Sequence, residues 1–157
     1  MIIENKGNIF DSESDILVNT VNCEGYMGKG IALEFKCRFP EMFQAYVAAC
    51  NNKEIYIGRP WVYKESKPMI MCFPTKSLFR YPSKIEYIKE GLEYFKKHYK
   101  ALEINSIAFP LLGASSGKID PKKSKEIMLS YLNEIDDLKI EIYEFDNSVS
   151  DKKLLEI

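Results

Sequence analysis

Between Ile16 and Leu33 the chain reads ILVNTVNCEGYMGKGIAL, and its periodicity changes twice within that stretch. The apolar run Ile16-Leu17-Val18 has the composition of a buried strand. Polar residues follow at Asn19 and Asn22, then glycines at Gly25, Gly28 and Gly30. From Ile31 the pattern is helical, with Ile31, Phe35 and Phe39 at i, i+4 and i+8. A strand, a glycine-rich loop and a helix in this order belong to a layered sheet-and-helix fold. They also make an anion site. Glycines admit a phosphate close to the backbone, and the helix start offers N–H groups at the positive end of its dipole. Asn19 and Asn22 set two amides beside the loop, where they can hydrogen-bond sugar hydroxyls.

The spacing Gly25-x-x-Gly28-x-Gly30 differs from the dinucleotide fingerprint, which has its close glycine pair first, and spacing alone leaves a plain turn open. The rest of the chain supplies the sheet. Strands are expected at 1–5, 16–20, 104–109 and 139–145, with a hairpin of 57–63 and 69–73 around the loop 64–68. Helices are expected at 29–39, 41–51, 84–99 and 122–134, and Pro40 marks the break between the first two. Ser83 with Glu86 three residues on reads as a capping box for the third, in which Ile85, Ile88, Leu92 and Phe95 hold core spacing. Strands alternate with helices except at the central pair. That order predicts an α/β fold with a mixed sheet, helices on both faces and ligands beyond the carboxyl ends of strands. The loops after 16–20 and 104–109 lie at such ends.

A chain of 157 residues suffices for one buried core and is short for two ordinary domains. It is read as a single domain over 1–157, whose tail, 146–157, frays or packs as a last helical turn. No apolar run approaches the length of a membrane span, and Met1-Ile2-Ile3-Glu4-Asn5-Lys6 is not a signal peptide. A cytoplasmic chain with no membrane partner is therefore expected. A net charge of −1 argues against strong nonspecific attraction to a nucleic-acid backbone while allowing a local basic patch. Cys23, Cys37, Cys50 and Cys72 lie far apart, and there is a single histidine, His98. They predict free buried thiols in a reducing compartment and no zinc site. Cys23 borders the glycine loop, but no base stands near it in sequence to activate it as a nucleophile.

The run from Val18 to Ala32, Val-Asn-x-Val-Asn-Cys-x-Gly-x-Met-Gly-Lys-Gly-Ile-Ala, resembles the macrodomain family of ADP-ribose binders and hydrolases. Within that family it is similar to the DarG-like branch, which contains antitoxins that remove ADP-ribose from DNA. Four motifs stand in the family's order between Gly7 and Asp120. The resemblance implies a macrodomain, a three-layer α/β/α sandwich around a central mixed β-sheet. It also implies an ADP-ribose site. Gly7-Asn8-Ile9 stands where macrodomains usually carry Gly-Asp-Ile, whose Asp accepts a hydrogen bond from the adenine amino group. Asn8 keeps an acceptor and loses the charge assistance. Asn22 would touch the distal ribose, and the loop through Gly28, Gly30 and Ile31 would wrap the diphosphate. Lys29, opening the helix, reads as a solvated lysine.

The third motif is Cys72-Phe73-Pro74-Thr75-Lys76-Ser77-Leu78-Phe79-Arg80 followed by Ser83-Lys84. DarG-like chains carry a similar Phe-Pro-Thr-Lys run, which makes Lys76 the catalytic candidate and Thr75 a ligand neighbour. Cleavage at an anomeric carbon needs a proton donor for the leaving base, or an amine that captures the opened sugar as a Schiff base. A lysine among backbone dipoles and apolar neighbours can have its pKa lowered for either task. Phe79 can stack on a splayed base, with Arg80 and Lys84 on flanking phosphates, although Phe79 fits a core position equally well.

The fourth motif runs from Phe109 to Asp120. Gly113 to Lys118 is one residue short of a P-loop, and Ile119 stands where Ser or Thr is required, which excludes an NTPase. Macrodomains have Pro-x-Leu-Gly-x-Gly-x-Gly-Gly-Leu here, supplying backbone donors to the diphosphate and distal ribose. Gly113, Ala114, Ser115, Ser116 and Gly117 occupy that run, three of them with side chains. Related terminal-glutamate hydrolases pair their lysine with an Asp in this loop, at the position of Gly117. Asp120 falls where DarG-like chains have an Asp before a Trp, but Pro121 follows it. Asp120-Pro121 is a helix cap and first-turn proline, and Asp120 is carried as a secondary catalytic candidate.

By this resemblance the chain is expected to be a metal-independent, cofactor-free ADP-ribosylglycohydrolase that releases ADP-ribose from nucleobases in DNA, with single strands as the expected substrate. It would thereby reverse a DNA ADP-ribosyltransferase toxin. A non-catalytic ADP-ribose reader and a hydrolase of protein-linked ADP-ribose are the alternatives. DarG-like antitoxins usually carry a second, toxin-contacting domain. The chain, without room for it, reads as an excised domain or a stand-alone relative.

Overall fold

The computed structural model describes residues 1–145, so the expected tail lies outside the described residues. The order is β1 (Ile2–Gly7), β2 (Ile16–Val21), α1 (Gly30–Arg38), α2 (Pro40–Asn51), β3 (Trp61–Tyr63), β4 (Met69–Pro74), α3 (Ile85–His98), β5 (Ser106–Pro110), α4 (Pro121–Leu132) and β6 (Lys139–Phe145). Single 3-10 turns, Ile9–Asp11 and Tyr99–Leu102, follow β1 and α3. The sheet order is β1-β6-β5-β2-β4-β3, with every pairing parallel except β3 against β4.

Alternation along the strands divides the core in two. Ile16, Val18, Met71, Phe73, Ile107 and Phe109 face one side, against Ile88, Leu92 and Phe95 of α3 and Ile127, Met128 and Leu132 of α4. Leu17, Val21, Ile70, Cys72 and Ala108 face the other, against Phe35 of α1 and Met42, Tyr46 and Ala49 of α2. The result is the expected three-layer α/β/α sandwich. Because five strands run parallel, their carboxyl ends line up along one edge, and that edge carries the loops that matter.

Two expectations are corrected. The stretch 57–63 is a strand only at its end, because Gly58 takes φ +86° and Pro60 follows it, leaving a turn bridged from Tyr56 to Arg59. Ser83 does not cap α3. Lys84 occupies the cap position without a side-chain bond, while Ser83 is buried, donating its N–H to the Gly117 carbonyl at 3.0 Å. Tertiary packing against the β5–α4 loop has overridden the local capping signal. Asp120 does cap α4, its carboxylate accepting from Lys122 N–H at 3.2 Å with Pro121 at the first position.

Candidate functional site

A cleft of about 990 Å³ runs along the carboxyl edge of the sheet. Its walls come from the end of each parallel strand: Asn8 and Ile9 after β1, Asn22 after β2, Thr75 and Lys76 after β4, the loop 113–118 after β5, and Tyr143 in β6. The start of α1, Gly30 to Ala32, closes one side.

The loop 22–29 is built by Asn22. Its Oδ1 accepts from the N–H groups of Glu24 at 3.0 Å and Tyr26 at 3.4 Å, and its Nδ2 donates to the Tyr26 carbonyl at 2.8 Å. Tyr46 in α2 reaches up beneath it, its hydroxyl 2.7 Å from the Asn22 carbonyl oxygen and 3.0 Å from Oδ1. Burial pushes the Tyr46 hydroxyl far above its ordinary range, so it serves as a neutral donor. α1 then begins with no side-chain cap and no acidic residue in its first turn, leaving its first N–H groups beside the cleft. Gly30, at φ +62°, lets the chain turn into the helix; a methyl group there would stand 3.3 Å from Ser116 Oγ. The two glycine-bearing loops thus face each other across the cleft.

Lys76 lies on the adjoining wall. Thr75 N–H donates to the Val21 carbonyl at 2.9 Å, extending the β2–β4 ladder into the loop, and Cys23 N–H donates to Ser77 O at 3.1 Å. Lys76 Nζ donates to the Phe79 carbonyl at 3.3 Å. Burial, with the positive charges of Lys29 and Lys118, lowers the Lys76 pKa below the usual lysine range. Beyond it the rim is aromatic and basic. Tyr26 is 56% exposed and Phe79 44% exposed, their rings edge-to-face at 5.1 Å, and the Arg80 guanidinium lies 5.6 Å from the Phe79 centroid.

Most sequence-derived residues therefore meet in one cleft: Asn8, Ile9, Asn22, Gly28, Gly30, Ile31, Thr75, Lys76, Phe79, Arg80 and the run from Gly113 to Gly117. Three stand apart. Asn19 is fully buried within β2, its Nδ2 3.7 Å from Met27 Sδ, so the loop lies over it. Its Oδ1 has no hydrogen-bond partner among the described residues. Asp120 is engaged at the α4 cap, and Lys84 lies outside the wall with its ammonium 5.6 Å from the Tyr87 ring. The partner of Phe10 N–H is Asn8 Oδ1 at 2.9 Å, so part of the Asn8 acceptor capacity is already used.

Sequence reasoning missed Lys29, Lys118, Tyr26 and Tyr143, all on the cleft wall. Tyr143 donates to Glu141 at 3.0 Å, a buried carboxylate that also accepts from Ser12, Ser14 and Asn5. Lys118, at φ +63°, is held in the left-handed region by its loop. The free thiols are buried only at Cys50 and Cys72; Cys37 is exposed on α1 and Cys23 half-buried. Burial, then the Cys50 and Glu24 charges, pushes the Cys23 thiol to about 11, which keeps it protonated and weakly nucleophilic. Among the described residues no cluster of three His, Cys, Asp or Glu side chains could hold a metal ion. No helix among them is long and apolar enough to cross a membrane.

The Macro domain family model matches residues 18–128. A DNA ADP-ribosyl glycohydrolase of Thermus aquaticus is 40% identical over 143 residues, 88% of this chain. The chain spans 40% of that relative's length. The solved macrodomain of Thermus aquaticus DarG superposes with a TM-score of 0.86 at 39% identity, covering 92% of this chain and 98% of that one. Thermosipho africanus DarTG in complex with ADP-ribose gives 0.84 at 31% identity, over 89% of this chain and 41% of that one.

Proposed function

We propose, since the chain belongs to the macro domain family, that it removes ADP-ribose from modified nucleobases in DNA, reversing a DNA ADP-ribosyltransferase. The observation that carries this is Lys76. It is a partly buried amine on the wall of a large cleft, with two further lysines pressing its pKa down. ADP-ribose lies along the cleft with adenine at Asn8 and Ile9 and the diphosphate between the Gly28–Gly30 turn, the α1 start and the run from Gly113 to Gly117. The distal ribose then reaches Asn22 and Lys76. Asn22 serves chiefly through the loop it builds, since its Oδ1 is filled by Glu24, Tyr26 and Tyr46.

A lowered pKa favours the neutral amine. Its lone pair attacks the anomeric carbon while the bond to the base breaks, and the leaving base takes the proton that the attacking nitrogen sheds. Ring opening gives a Schiff base, and water hydrolyses it to free ADP-ribose and the lysine amine. The exposed aromatic and basic rim, Tyr26, Phe79 and Arg80, with Lys84 further out, suits an unstacked base and its flanking phosphates. Asp120 is bound up in its cap and has no step in this scheme.

The test is release of free ADP-ribose from an ADP-ribosylated single-stranded oligonucleotide by the wild type and Lys76→Ala. Release by the wild type and its loss in the variant support the reading. Equal release by both removes Lys76 from its role. No release, with ADP-ribose still bound in calorimetry, leaves a reader module, and release only from modified protein moves the substrate class.

A further inference from the structure

We propose that Glu24 is a positioning residue for Lys76, its carboxylate fixing Phe79 so that the Phe79 carbonyl holds the Lys76 ammonium. This rests on the reading of Lys76 as the reacting group.

The segment 75–83 has no helix or strand of its own; it hangs between β4 and α3. Its first part is held by β2 and the loop beyond, through Thr75 N–H to Val21 O, Cys23 N–H to Ser77 O at 3.1 Å and the Cys23 thiol to Lys76 O at 3.6 Å. Its far end is held by Ser83 N–H on the Gly117 carbonyl. Between those anchors the tip is gripped from the loop 22–26. Phe79 N–H donates to Glu24 Oε1 at 2.8 Å, a contact spanning 55 residues of chain, and the Tyr26 ring meets the Phe79 ring edge-on. Phe79 is 44% exposed, so its packing alone is a weak restraint. A backbone N–H on a carboxylate is a charge-assisted bond, roughly twice as strong as a neutral one.

The N–H and C=O of Phe79 flank one Cα, so a tether on the first restricts where the second points. That carbonyl accepts from Lys76 Nζ at 3.3 Å. A lysine stem has several free torsions, and an acceptor at its tip selects one of its arrangements. The same carbonyl stabilises the ammonium, against Lys29 and Lys118, which face Lys76 and disfavour its charge. Arg80, stacked on the Phe79 ring, is the remaining cation of this tip. Glu24 therefore sets both where Lys76 points and how firmly it keeps its proton.

The experiment compares wild type, Glu24→Ala and Glu24→Gln by turnover of an ADP-ribosylated single-stranded oligonucleotide, by ADP-ribose calorimetry, and by NMR titration of lysine labelled with carbon-13 at Cε. Lys76→Arg assigns the Lys76 signal. Glu24→Ala is expected to lower kcat about tenfold, misplacement of the amine outweighing its larger neutral fraction. The ADP-ribose Kd stays within about twofold, because the contacts at Asn8, the Gly28–Gly30 turn and the run from Gly113 to Gly117 are untouched, while KM for the oligonucleotide rises with the loosened Phe79. Lys76 then titrates at lower pH than in the wild type. Glu24→Gln keeps an acceptor for Phe79 N–H without the charge assistance and recovers most of both kcat and the titration. A Glu24→Ala variant with wild-type kcat and titration overturns the proposal, as does Glu24→Gln as impaired as Glu24→Ala. If the wild type itself releases no ADP-ribose, the functional reading fails, and the Lys76 titration still decides the Glu24 tether.

Discussion

Replacing Gly117 by alanine tests whether the β5–α4 loop is shaped by the fold or by its ligand. A methyl group there would stand 2.2 Å from Ser83 Oγ, 2.5 Å from the Gly113 carbonyl oxygen and 2.8 Å from Ser83 Cβ. Ordinary contact begins at 3.4 Å, so the Gly113 oxygen must retreat by about 0.9 Å. It is not free to do so, because it accepts from Ile119 N–H at 2.9 Å, while Ser83 is tied to Gly117 O at 3.0 Å. Overpacking costs about 1–3 kcal/mol, and two contacts this deep put the loss near the upper end. Alanine recovers roughly 0.4–1 kcal/mol by narrowing the unfolded ensemble. The net loss is about 2 kcal/mol, a fall in Tm of about 4–8 °C for a chain of this size. Differential scanning calorimetry reads the stability and titration calorimetry the ADP-ribose affinity, which falls with the displaced loop. Adding Ser83→Gly removes two of the three contacts and recovers part of both losses. Gly28→Ala is the counterpart. No atom lies within 4 Å of its added methyl, so stability stays within about 0.5 kcal/mol while affinity falls, because only a ligand meets that methyl. A Gly117→Ala protein with unchanged Tm and affinity refutes the steric argument, and a Gly28→Ala protein with unchanged affinity refutes the path assigned to the diphosphate.

Other expected outcomes rest on the buried charges and close contacts of the scaffold. Glu141 is buried, which alone raises its pKa, but hydrogen bonds from Ser14, Ser12 and Tyr143 and the Lys139 charge hold it below the ordinary 4.5. A depressed folded-state value stabilises the protein above pH 4.5, and that stabilisation disappears as pH falls through the folded value. Glu141→Gln should therefore cost about 1.5–3 kcal/mol at neutral pH, with the gap to wild type shrinking below that point in denaturant melts; a constant gap across pH contradicts it. Gly91→Ala in α3 places a methyl group 2.3 Å from the Phe73 ring, which is fully buried. Chemical denaturation should show a loss despite the roughly 1 kcal/mol that alanine adds in helix propensity, and a more stable variant would show that Phe73 can retreat. Asn19→Leu removes a buried oxygen that has no partner among the described residues, so stability should hold or rise by about 1 kcal/mol with ADP-ribose affinity unchanged. A tenfold weaker Kd, equivalent to about 1.4 kcal/mol, would return Asn19 to the ligand's surroundings.

Local chemistry was legible in the sequence wherever it alone decides the outcome. The strand, glycine loop and helix from Ile16 onward, the Asp120-Pro121 cap and the helix break at Pro40 all follow from residues that are neighbours in the chain. The two asparagines could not be told apart in this way. β2 runs to Val21, one residue further than expected, so Leu17, Asn19 and Val21 point together into the α1–α2 face while Asn22 stands clear of the strand. Ser83 matched a capping box and was claimed instead by Gly117, which lies 34 positions further along the chain. Lys29 reads as a solvated lysine and Lys118 as the end of a loop, because nothing local says that two loops from β2 and β5 converge on a third lysine from β4. The Gly58-Arg59-Pro60 turn, by contrast, was written in turn residues and was overridden only by the apolar run around it.

The same distinction explains the largest departure from the family pattern. Of the run 113–117, Gly113 and Gly117 are the two positions that the fold itself keeps as glycine. Gly113 has φ +73°, and a side chain there would stand 2.8 Å from Ile119 Cδ1; Gly117 is wedged between Ser83 and the Gly113 carbonyl. Ala114, Ser115 and Ser116 already carry side chains without disturbing that packing, and Ser116 Oγ sits opposite Gly30 on the far loop. The chain thus carries side chains where the cleft receives them and glycines where the scaffold would meet them. Any change in ligand grip relative to a fully glycine-rich loop must then come from these three side chains inside the cleft, since the scaffold beneath them is retained by Gly113, Gly117 and the hydrogen bonds to Ile119 and Ser83.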